Sequence, residues 1–310
     1  MDTPSSGTSS GLRPFRTPAD GIHEGPRELR RLPDEWEERP YRHVEVVPLA
    51  RTIGAEIRGL NLSRPVGAEL RAELNRALLE WKVLFFRGQH LSRDQQREFA
   101  AHWGELASLP LVPTGGHEAV SRFDDGPVPH FENVWHTDVT FRERPTMGSV
   151  LQVRQIPPFG GDTLWADMAA AYDNLPDTVK ERIEHATAVH DYVPGFARYY
   201  TPAQLLPFQE LYPPVEHPVV RRHPETGRRS LFVHLSYVTH IVGMEPAESD
   251  RLLRFLFLQA HVPEFQVRFH WQAGDIAFWD NRTTAHYAVN DYAPHPRVAE
   301  RVSIEGDKPV

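Results

Sequence analysis

The stretch EFQVRFHWQAGDIAFWDN, residues 264–281, contains two short apolar segments with a Gly-Asp turn signal between them. Both segments are rich in β-branched and aromatic residues, which is typical of β-strands. Further strands are expected in VLFFRG (83–88), in GSVLQVRQI (148–156) and in RVAERVSIEG (297–306). Many short strands separated by turns predict a mainly β fold with flanking helices, either a β-sandwich or a jelly roll.

Helices are expected on the outside of this β fold. Apolar residues recur at helical spacing in 67–82, 92–106 and 246–262, and Ser92 is suitably placed to cap the second of these helices. Two long segments, 107–134 and 192–214, are predicted to be loops. Loops of that length in a compact domain are usually functional or disordered, so both are candidate lids over a site.

The chain divides by composition into two parts. Residues 1–42 are rich in serine, glycine, proline and charged residues, and we predict that they form a flexible N-terminal arm. Residues 43–310 are long enough to bury a large core, and one large domain is expected there.

Composition excludes several classes of protein. The net charge of −8, with no long basic segment, argues against a nucleic-acid partner. The absence of cysteine rules out disulfides, thiolate metal sites and cysteine nucleophiles. No apolar run reaches the roughly 18–20 residues that span a bilayer, and the N-terminus lacks the apolar segment of a secretory signal. We therefore predict a cytoplasmic protein without a membrane partner.

A possible metal site lies in NVWHTDVTF, residues 133–141, where His136 and Asp138 are one residue apart. In an extended backbone the two side chains point to the same side. They could be two ligands of one metal ion or a polar pair on a sheet surface. Two histidines and one carboxylate are the ligand set of mononuclear Fe(II) oxygenases, and a hydrolytic zinc site could use the same atoms.

The C-terminal segment WDNRTTAHYAVNDYAPHPRVAERVSIEGDKP, residues 279–309, supplies a third candidate ligand, His286, which is expected to follow one strand and precede another. Arg297 and Arg301 follow it and are four residues apart, so in a strand they face the same side and could line one cavity. Arginine is suited to binding carboxylate, sulfonate or sulfate groups. Alternatively, Arg297 could pair with Asp291, and Arg301 with Glu300 or Glu305.

The ordered set of motifs resembles the taurine/2-oxoglutarate dioxygenase family, the TauD/TfdA type of Fe(II)- and 2-oxoglutarate-dependent oxygenases. The motifs that carry the resemblance are WHTDVTF, GGDTLWADM, PEFQVRFHW and WDNRTTAHYAVNDY, followed by the two arginines. The resemblance runs from about Val44 to Pro309. It implies a double-stranded β-helix, the cupin-like jelly roll.

The resemblance also implies roles for individual residues. His136, Asp138 and His286 would hold Fe(II). Arg297 and Thr163 would bind the distal carboxylate of 2-oxoglutarate, whose keto-acid end would chelate the metal beside the site for O2.

The substrate side of the site is implied in the same way. Arg301 matches the position that binds the anionic group of the primary substrate, and Phe196 and Tyr237 match aromatic positions of the pocket wall. Three positions depart from the taurine-specific pattern. Leu109 and Val112 replace a histidine and a tyrosine, and Glu132 replaces an asparagine. These changes argue against taurine itself and leave open a longer sulfonate, an alkyl sulfate or a carboxylate. Glu132 could pair with a substrate amine or face solvent.

The implied reaction is oxidation of a C–H bond in a small organic anion, with formation of succinate and CO2. Its setting could be sulfur-scavenging catabolism or the tailoring step of a biosynthetic pathway. Two other classes stay open at this point: a zinc hydrolase on the same triad and a non-catalytic jelly-roll binding protein. The resemblance further implies a homodimer or homotetramer.

Overall fold

The computed structural model describes residues 25–108, 120–124, 132–197 and 200–310. Seven α-helices lie in these residues: α1 (Ala68–Trp81), α2 (Arg93–Ala101), α3 (Met168–Asp173), α4 (Asp177–Ile183), α5 (Tyr192–Phe196), α6 (Pro202–Leu211) and α7 (Pro246–Leu258). The strands are β1 (Glu45–Pro48), β2 (Ala55–Arg58), β3 (Val83–Phe86), β4 (Ser121–Asp124), β5 (Gly148–Gln155), β6 (Thr163–Asp167), β7 (Thr187–His190), β8 (Val215–Pro218), β9 (Val220–Arg222), β10 (Arg229–Leu231), β11 (Val238–Ile241), β12 (Gln266–Phe269), β13 (Ile276–Asp280), β14 (Thr284–Ala288) and β15 (Val298–Ile304).

Two sheets form the body of the protein. The larger has the strand order β1-β2-β3-β13-β5-β15-β4, and β12, β6 and β14 form the smaller. All neighbouring pairs in these sheets are antiparallel except β2 and β3. The two sheets enclose one core, in which Phe85 of β3 lies 5.3 Å from Trp165 of β6, measured between ring centroids. This is the double-stranded β-helix, so the predicted fold class is confirmed.

The larger sheet is buried on both faces, and its sequence shows why. Along β3, Val83 and Phe85 face the space between the sheets, whereas Leu84 and Phe86 pack beneath the helices α1 and α2. Side chains of a strand alternate between faces, so a strand covered on both sides is apolar at every position. The continuous apolar run VLFF therefore marks a central strand.

The helices cover the outer faces, as expected. Ser92 caps α2 through the main-chain N–H of Gln95, which confirms the predicted cap. Helices α3 and α7 pack on the far side of the smaller sheet around Ala166, Ala285 and Leu256. The metal candidates thus lie in the space between two sheets that are each braced from outside.

Two sequence predictions are wrong. The segment 192–214 is not a long loop, because α5 and α6 lie within it. His286 does not sit between two strands; it lies inside β14, paired with Trp165 of β6. The other predicted loop, 107–134, is described only in part, since 109–119 and 125–131 lie outside the described residues.

The described part of the predicted arm lies against the domain. The main-chain N–H of Glu28 donates to Asn174, and the side chain of Arg228 donates to the carbonyls of Arg30 and Arg31. Arg31 also forms a salt bridge with the buried Glu80. Residues 1–24 lie outside the described residues, and the division into an arm and one domain at residue 43 stays a prediction.

Candidate active site

Three side chains from two segments meet at the edge of the smaller sheet, along β14. His286 lies in β14, and His136 joins its edge through a reciprocal pair of main-chain hydrogen bonds of 3.0 and 2.7 Å. Asp138 follows two residues later, next to Val139, whose φ of 47° is rare for a β-branched residue. This left-handed backbone conformation comes directly after Asp138. Backbone strain of this kind is often found at functional sites.

The ligand atoms of this triad converge. Oδ1 of Asp138 lies 4.0 Å from Nε2 of His136 and 3.8 Å from Nε2 of His286. One atom from each residue falls within 4.8 Å of the other two, and all three side chains are buried. Two imidazole nitrogens and one carboxylate oxygen at one point can hold a divalent transition metal and leave its other positions open.

Hydrogen bonds set the orientation of His136. Its Nδ1 lies 2.8 Å from the carbonyl of Val134, and because a carbonyl only accepts, Nδ1 carries the proton. Nε2 is then the nitrogen that could bind a metal, as in a metal-bound histidine oriented by a carbonyl. Glu132 lies 3.3 Å from Nε2 of His136. Burial lowers the pKa of His136, but the interaction with Glu132 outweighs burial and raises that pKa.

The charges around Asp138 and His286 favour ligation at neutral pH. Burial opposes ionisation of Asp138, but Arg301, His286 and His136 outweigh this and lower the pKa of Asp138 to about 2. Burial and the charge of His136 lower the pKa of His286 to about 3. A metal needs an ionised carboxylate and neutral imidazole, and Asp138 and His286 are in those forms already.

Arg297 and Arg301 line one inner cavity with Thr163 and His286, as their spacing predicts. Nη1 of Arg301 donates to Oδ1 of Asp138 at 2.7 Å, and its guanidinium lies 4.8 Å from the ring of Phe123. The proposed alternatives for Arg301 are wrong. Glu300 pairs with Arg93 and Arg154, and Glu305 pairs with Arg142.

The GGDT turn, residues 160–163, positions Thr163 and Arg297 at the far end of this cavity. Gly161 has φ of 72°, and its carbonyl accepts from Nε of Arg297 at 3.2 Å. A Cβ on Gly161 would lie 3.1 Å from Cδ of Arg297, so a side chain there would crowd the arginine. Thr163 accepts from the indole N–H of Trp271 at 3.0 Å; because an indole only donates, the hydroxyl hydrogen of Thr163 remains for a ligand.

Comparison with known proteins agrees with this geometry. Residues 45–303 match the profile of the family described as "Taurine catabolism dioxygenase TauD, TfdA family". The chain belongs to the TauD/TfdA family. Similar proteins include the alpha-ketoglutarate-dependent sulfate ester dioxygenase of Pseudomonas putida, 41% identical over 86% of this chain and 91% of that protein. The alkylsulfatase of Acinetobacter baylyi is 38% identical over 87% of each.

A solved structure extends the comparison to the fold. A taurine dioxygenase from Burkholderia xenovorans superposes with a TM-score of 0.76 and 38% identity, covering 87% of this chain and 91% of that one. The chain is therefore a 2-oxoglutarate-dependent dioxygenase, which confirms the prediction of an oxygenase and leaves no role for the zinc hydrolase or the binding protein. Membership of the TauD/TfdA family implies 2-oxoglutarate, O2 and iron as cofactors, and the triad described above could hold the metal.

The TauD/TfdA resemblance places further residues on the substrate side, and the structure describes three of the five. Tyr237 is buried and Phe196 half-buried, in an aromatic cluster with Phe141 and Tyr192. Glu132 lines the inner cavity. Leu109 and Val112 lie outside the described residues.

Other polar residues around the triad were missed or only partly foreseen from the sequence. Nδ2 of Asn281 lies 3.4 Å from Oδ2 of Asp138, and the hydroxyl oxygen of Ser149 lies at the same distance. The hydroxyl of Thr140 links His190 and His234 at 2.9 Å each, directly behind the triad. Thr140 belongs to the WHTDVTF motif, so its position could have been read from the sequence, whereas its histidine partners are too distant in the chain.

One prediction about location is only partly tested. Among the residues that the structure describes, no helix is both long and apolar enough to cross a membrane. The cytoplasmic location and the dimer or tetramer stay predictions.

Proposed function

We propose that this chain is an Fe(II)- and 2-oxoglutarate-dependent dioxygenase that oxidises the carbon next to the ester oxygen of alkyl sulfates. His136, Asp138 and His286 would hold the iron. Arg297 and Thr163 would bind the distal carboxylate of 2-oxoglutarate, and Arg301 would bind the sulfate group. The names of the two relatives above support a sulfate ester as the substrate.

One observation carries this proposal: two buried arginines open into one cavity at a possible metal site, at different distances from it. Arg301 contacts the triad directly through Asp138, whereas Arg297 is held at the GGDT turn by Gly161. Two arginines fit two anionic groups, the co-substrate at one end and the primary substrate beside the metal.

The metal, when bound, supplies the activation of O2 that no side chain can perform. The protein holds the two organic substrates in fixed orientation. Asp138 and the two histidines would hold the metal, and the buried cavity between the sheets keeps bulk water out. Trp165, Trp271 and Trp279 supply much of the apolar wall of that cavity.

The proposed reaction balances without a further reductant. One atom of O2 goes to the succinate that forms as 2-oxoglutarate loses CO2, and the other becomes a hydroxyl group on the substrate carbon. That carbon then bears both a hydroxyl and a sulfate. Its C–O bond to sulfate breaks, the hydroxyl proton leaves, and an aldehyde and sulfate are released.

A second candidate rests on Glu132, whose carboxylate faces the same cavity as Arg301. Burial raises the pKa of Glu132, but His136 and Arg301 outweigh it, and the pKa falls to about 2. An ionised carboxylate opposite an arginine would suit a substrate with both an amine and an acid group, as in a biosynthetic tailoring step. Glu132 is also close enough to His136 to serve the metal site alone, so the sulfate ester is the primary proposal.

The test is product formation from 2-oxoglutarate with Fe(II) and O2 over a panel of alkyl sulfates, sulfonates, carboxylates and amino acids. We expect an alkyl sulfate to stimulate succinate formation most and to release sulfate in equal amount. Stimulation by an amino acid, lost in Glu132→Gln, would support the second candidate instead. Stimulation only by carboxylates or sulfonates would overturn the sulfate ester.

A further inference from the structure

A second cavity lies on the opposite face of the strands that carry the metal candidates. His286 and Ala288 of β14 line the inner cavity, whereas Ala285 and Tyr287 line a cavity of about 530 Å³ on the outside. Trp135 also lines the outer cavity, one residue before His136. Alternation along an extended backbone thus places two cavities back to back.

The outer cavity has the size and surface of a small-molecule site. Sites for organic ligands have volumes of about 300–1,000 Å³ and mostly apolar walls with a few polar groups. Here the walls come from Trp135 and Tyr287 on one side and from Phe257 and Leu258 of α7 on the other. Leu258 is 36% exposed and Leu235, also in the lining, is 61% exposed, so apolar surface faces solvent at the mouth.

The charge at this cavity indicates which ligand it would take. Arg254 of α7 lines it, is exposed, and has no hydrogen bond or salt bridge to any other described residue. By contrast, Arg297 and Arg301, which line the inner cavity, have a carbonyl and a carboxylate partner, respectively. No acidic residue lines the outer cavity among the described residues.

We propose that the outer cavity binds an organic anion with an aromatic or aliphatic body. The apolar body would lie between the ring of Trp135 and α7, and the anionic group would face Arg254. The same chemistry is shared by the proposed substrates and by unrelated anionic metabolites, so either could be the natural occupant. The inference does not rest on the proposed function, because it concerns a different cavity.

The test uses the full chain without metal and a fluorescent probe, 1-anilinonaphthalene-8-sulfonate, which is an aromatic anion. We expect saturable binding with one site per chain. N-phenyl-1-naphthylamine has the same rings but no sulfonate, and it should bind more weakly. Equal affinity for the two probes, or no saturable binding, would overturn the proposal.

Two arginines of α7 offer a matched pair of variants. Arg254→Glu should weaken binding of the sulfonate by about fivefold to tenfold, because a cation is replaced by an anion, and should leave binding of the uncharged probe unchanged. Arg251→Glu makes the same change on the same exposed helix but outside the cavity lining, and should have little effect. Equal losses of sulfonate affinity in both variants would show that the effect comes from net charge alone, and would contradict binding in the outer cavity.

Two further controls separate other locations and occupants. Arg301→Gln should leave sulfonate binding unchanged; its loss would place the probe in the active site instead. Leu258→Asp should weaken both probes without changing the sedimentation coefficient. If Leu258→Asp dissociates an oligomer, the surface belongs to a subunit interface and the proposal fails.

Discussion

Two buried carboxylates in this protein, Asp138 and Asp280, are held in different ways. Asp280 accepts hydrogen bonds from the main chain, Nε and Nη2 of Arg282 at 2.7–2.9 Å, and Nε2 of His223 lies 3.0 Å away. Asp138 has one short contact, to Arg301 at 2.7 Å, and its other polar neighbours lie at 3.4–4.0 Å.

The difference separates a structural cluster from a functional one. Both oxygens of Asp280 are satisfied by short bonds, as a buried charge requires. Asp138 faces the imidazoles of His136 and His286 at 3.8–4.0 Å. This distance is too long for a hydrogen bond but short enough for the three groups to share one metal ion. A divalent cation between them would supply the missing short contacts. We therefore interpret the incomplete coordination of Asp138 as support for the proposed metal site.

The largest expected effect is the loss of activity in His136→Ala. Metal ions contribute several kcal/mol to catalysis, and each 1.4 kcal/mol is tenfold, so succinate formation should fall about a thousandfold or more. His185→Ala, at an exposed histidine, is the control and should retain activity. Residual activity in His136→Ala above about one tenth of the wild type would remove this histidine from the metal site.

Asp280→Ala should lower stability instead. Removing one partner from a buried ion pair costs about 3–5 kcal/mol, because the buried Arg282 loses Asp280 and keeps only the more exposed Glu225 as a carboxylate partner. Glu143→Ala breaks an exposed salt bridge with Lys308 and should leave the free energy of unfolding nearly unchanged. Urea unfolding measures both. A small change in the free energy of unfolding of Asp280→Ala would contradict the structural role that distinguishes Asp280 from Asp138.

The two cavity arginines should separate by substrate. Truncating one partner of a buried charge contact costs about 2 kcal/mol or more, roughly a 30-fold change in affinity. Arg297→Gln should therefore raise KM for 2-oxoglutarate, and Arg301→Gln should raise KM for the sulfate ester. Arg268→Gln, at a half-exposed arginine paired with Asp162, should change neither value. Steady-state kinetics with each substrate varied in turn would detect an exchange of these roles.

The smallest effect concerns pH and the histidines behind the triad. Burial lowers the pKa of His190 and His234 well below 6.5, so both stay neutral in the folded protein. In the unfolded chain they take up protons below about pH 6.5, and stability therefore falls as the pH drops from 6.5. The slope is at most about 1.4 kcal/mol per pH unit for each histidine.

His190→Gln should flatten this dependence between pH 6.5 and 5, measured by urea unfolding of the metal-free protein. His185→Gln, at an exposed position, should leave the slope unchanged. A wild-type stability that does not vary across this range would contradict the neutral state of the buried pair.

The sequence predicts the central sheet well and its surroundings less well. Val83–Phe86 is a continuous apolar run, and Gly148–Gln155 combines valine and leucine with polar residues; both are bounded by turn signals that are typical of strands. The segment Thr284–Ala288 shows no such signal, because His286 interrupts its apolar pattern. Helix α6 was missed because Pro207 lies inside it and the segment has little amphipathic pattern.

The site divides in a similar way. His136, Asp138 and His286 could be proposed as ligands because the motif set is ordered and specific. The contact between Arg301 and Asp138 could not, because it joins residues 163 apart and depends on how two strands pack. Local spacing suggested Glu300 and Glu305 instead, and those side chains face away from the cavity to other arginines.

The most direct test of the account is anaerobic titration of the metal-free protein with Fe(II) in the presence of 2-oxoglutarate, followed by visible absorption. We expect a metal-to-ligand charge-transfer band that saturates at one Fe(II) per chain, is absent in His136→Ala and requires more 2-oxoglutarate in Arg297→Gln. A wild-type protein without this band, or a His136→Ala protein that keeps it, would contradict the assignment of Asp138 and its two histidines as the metal site.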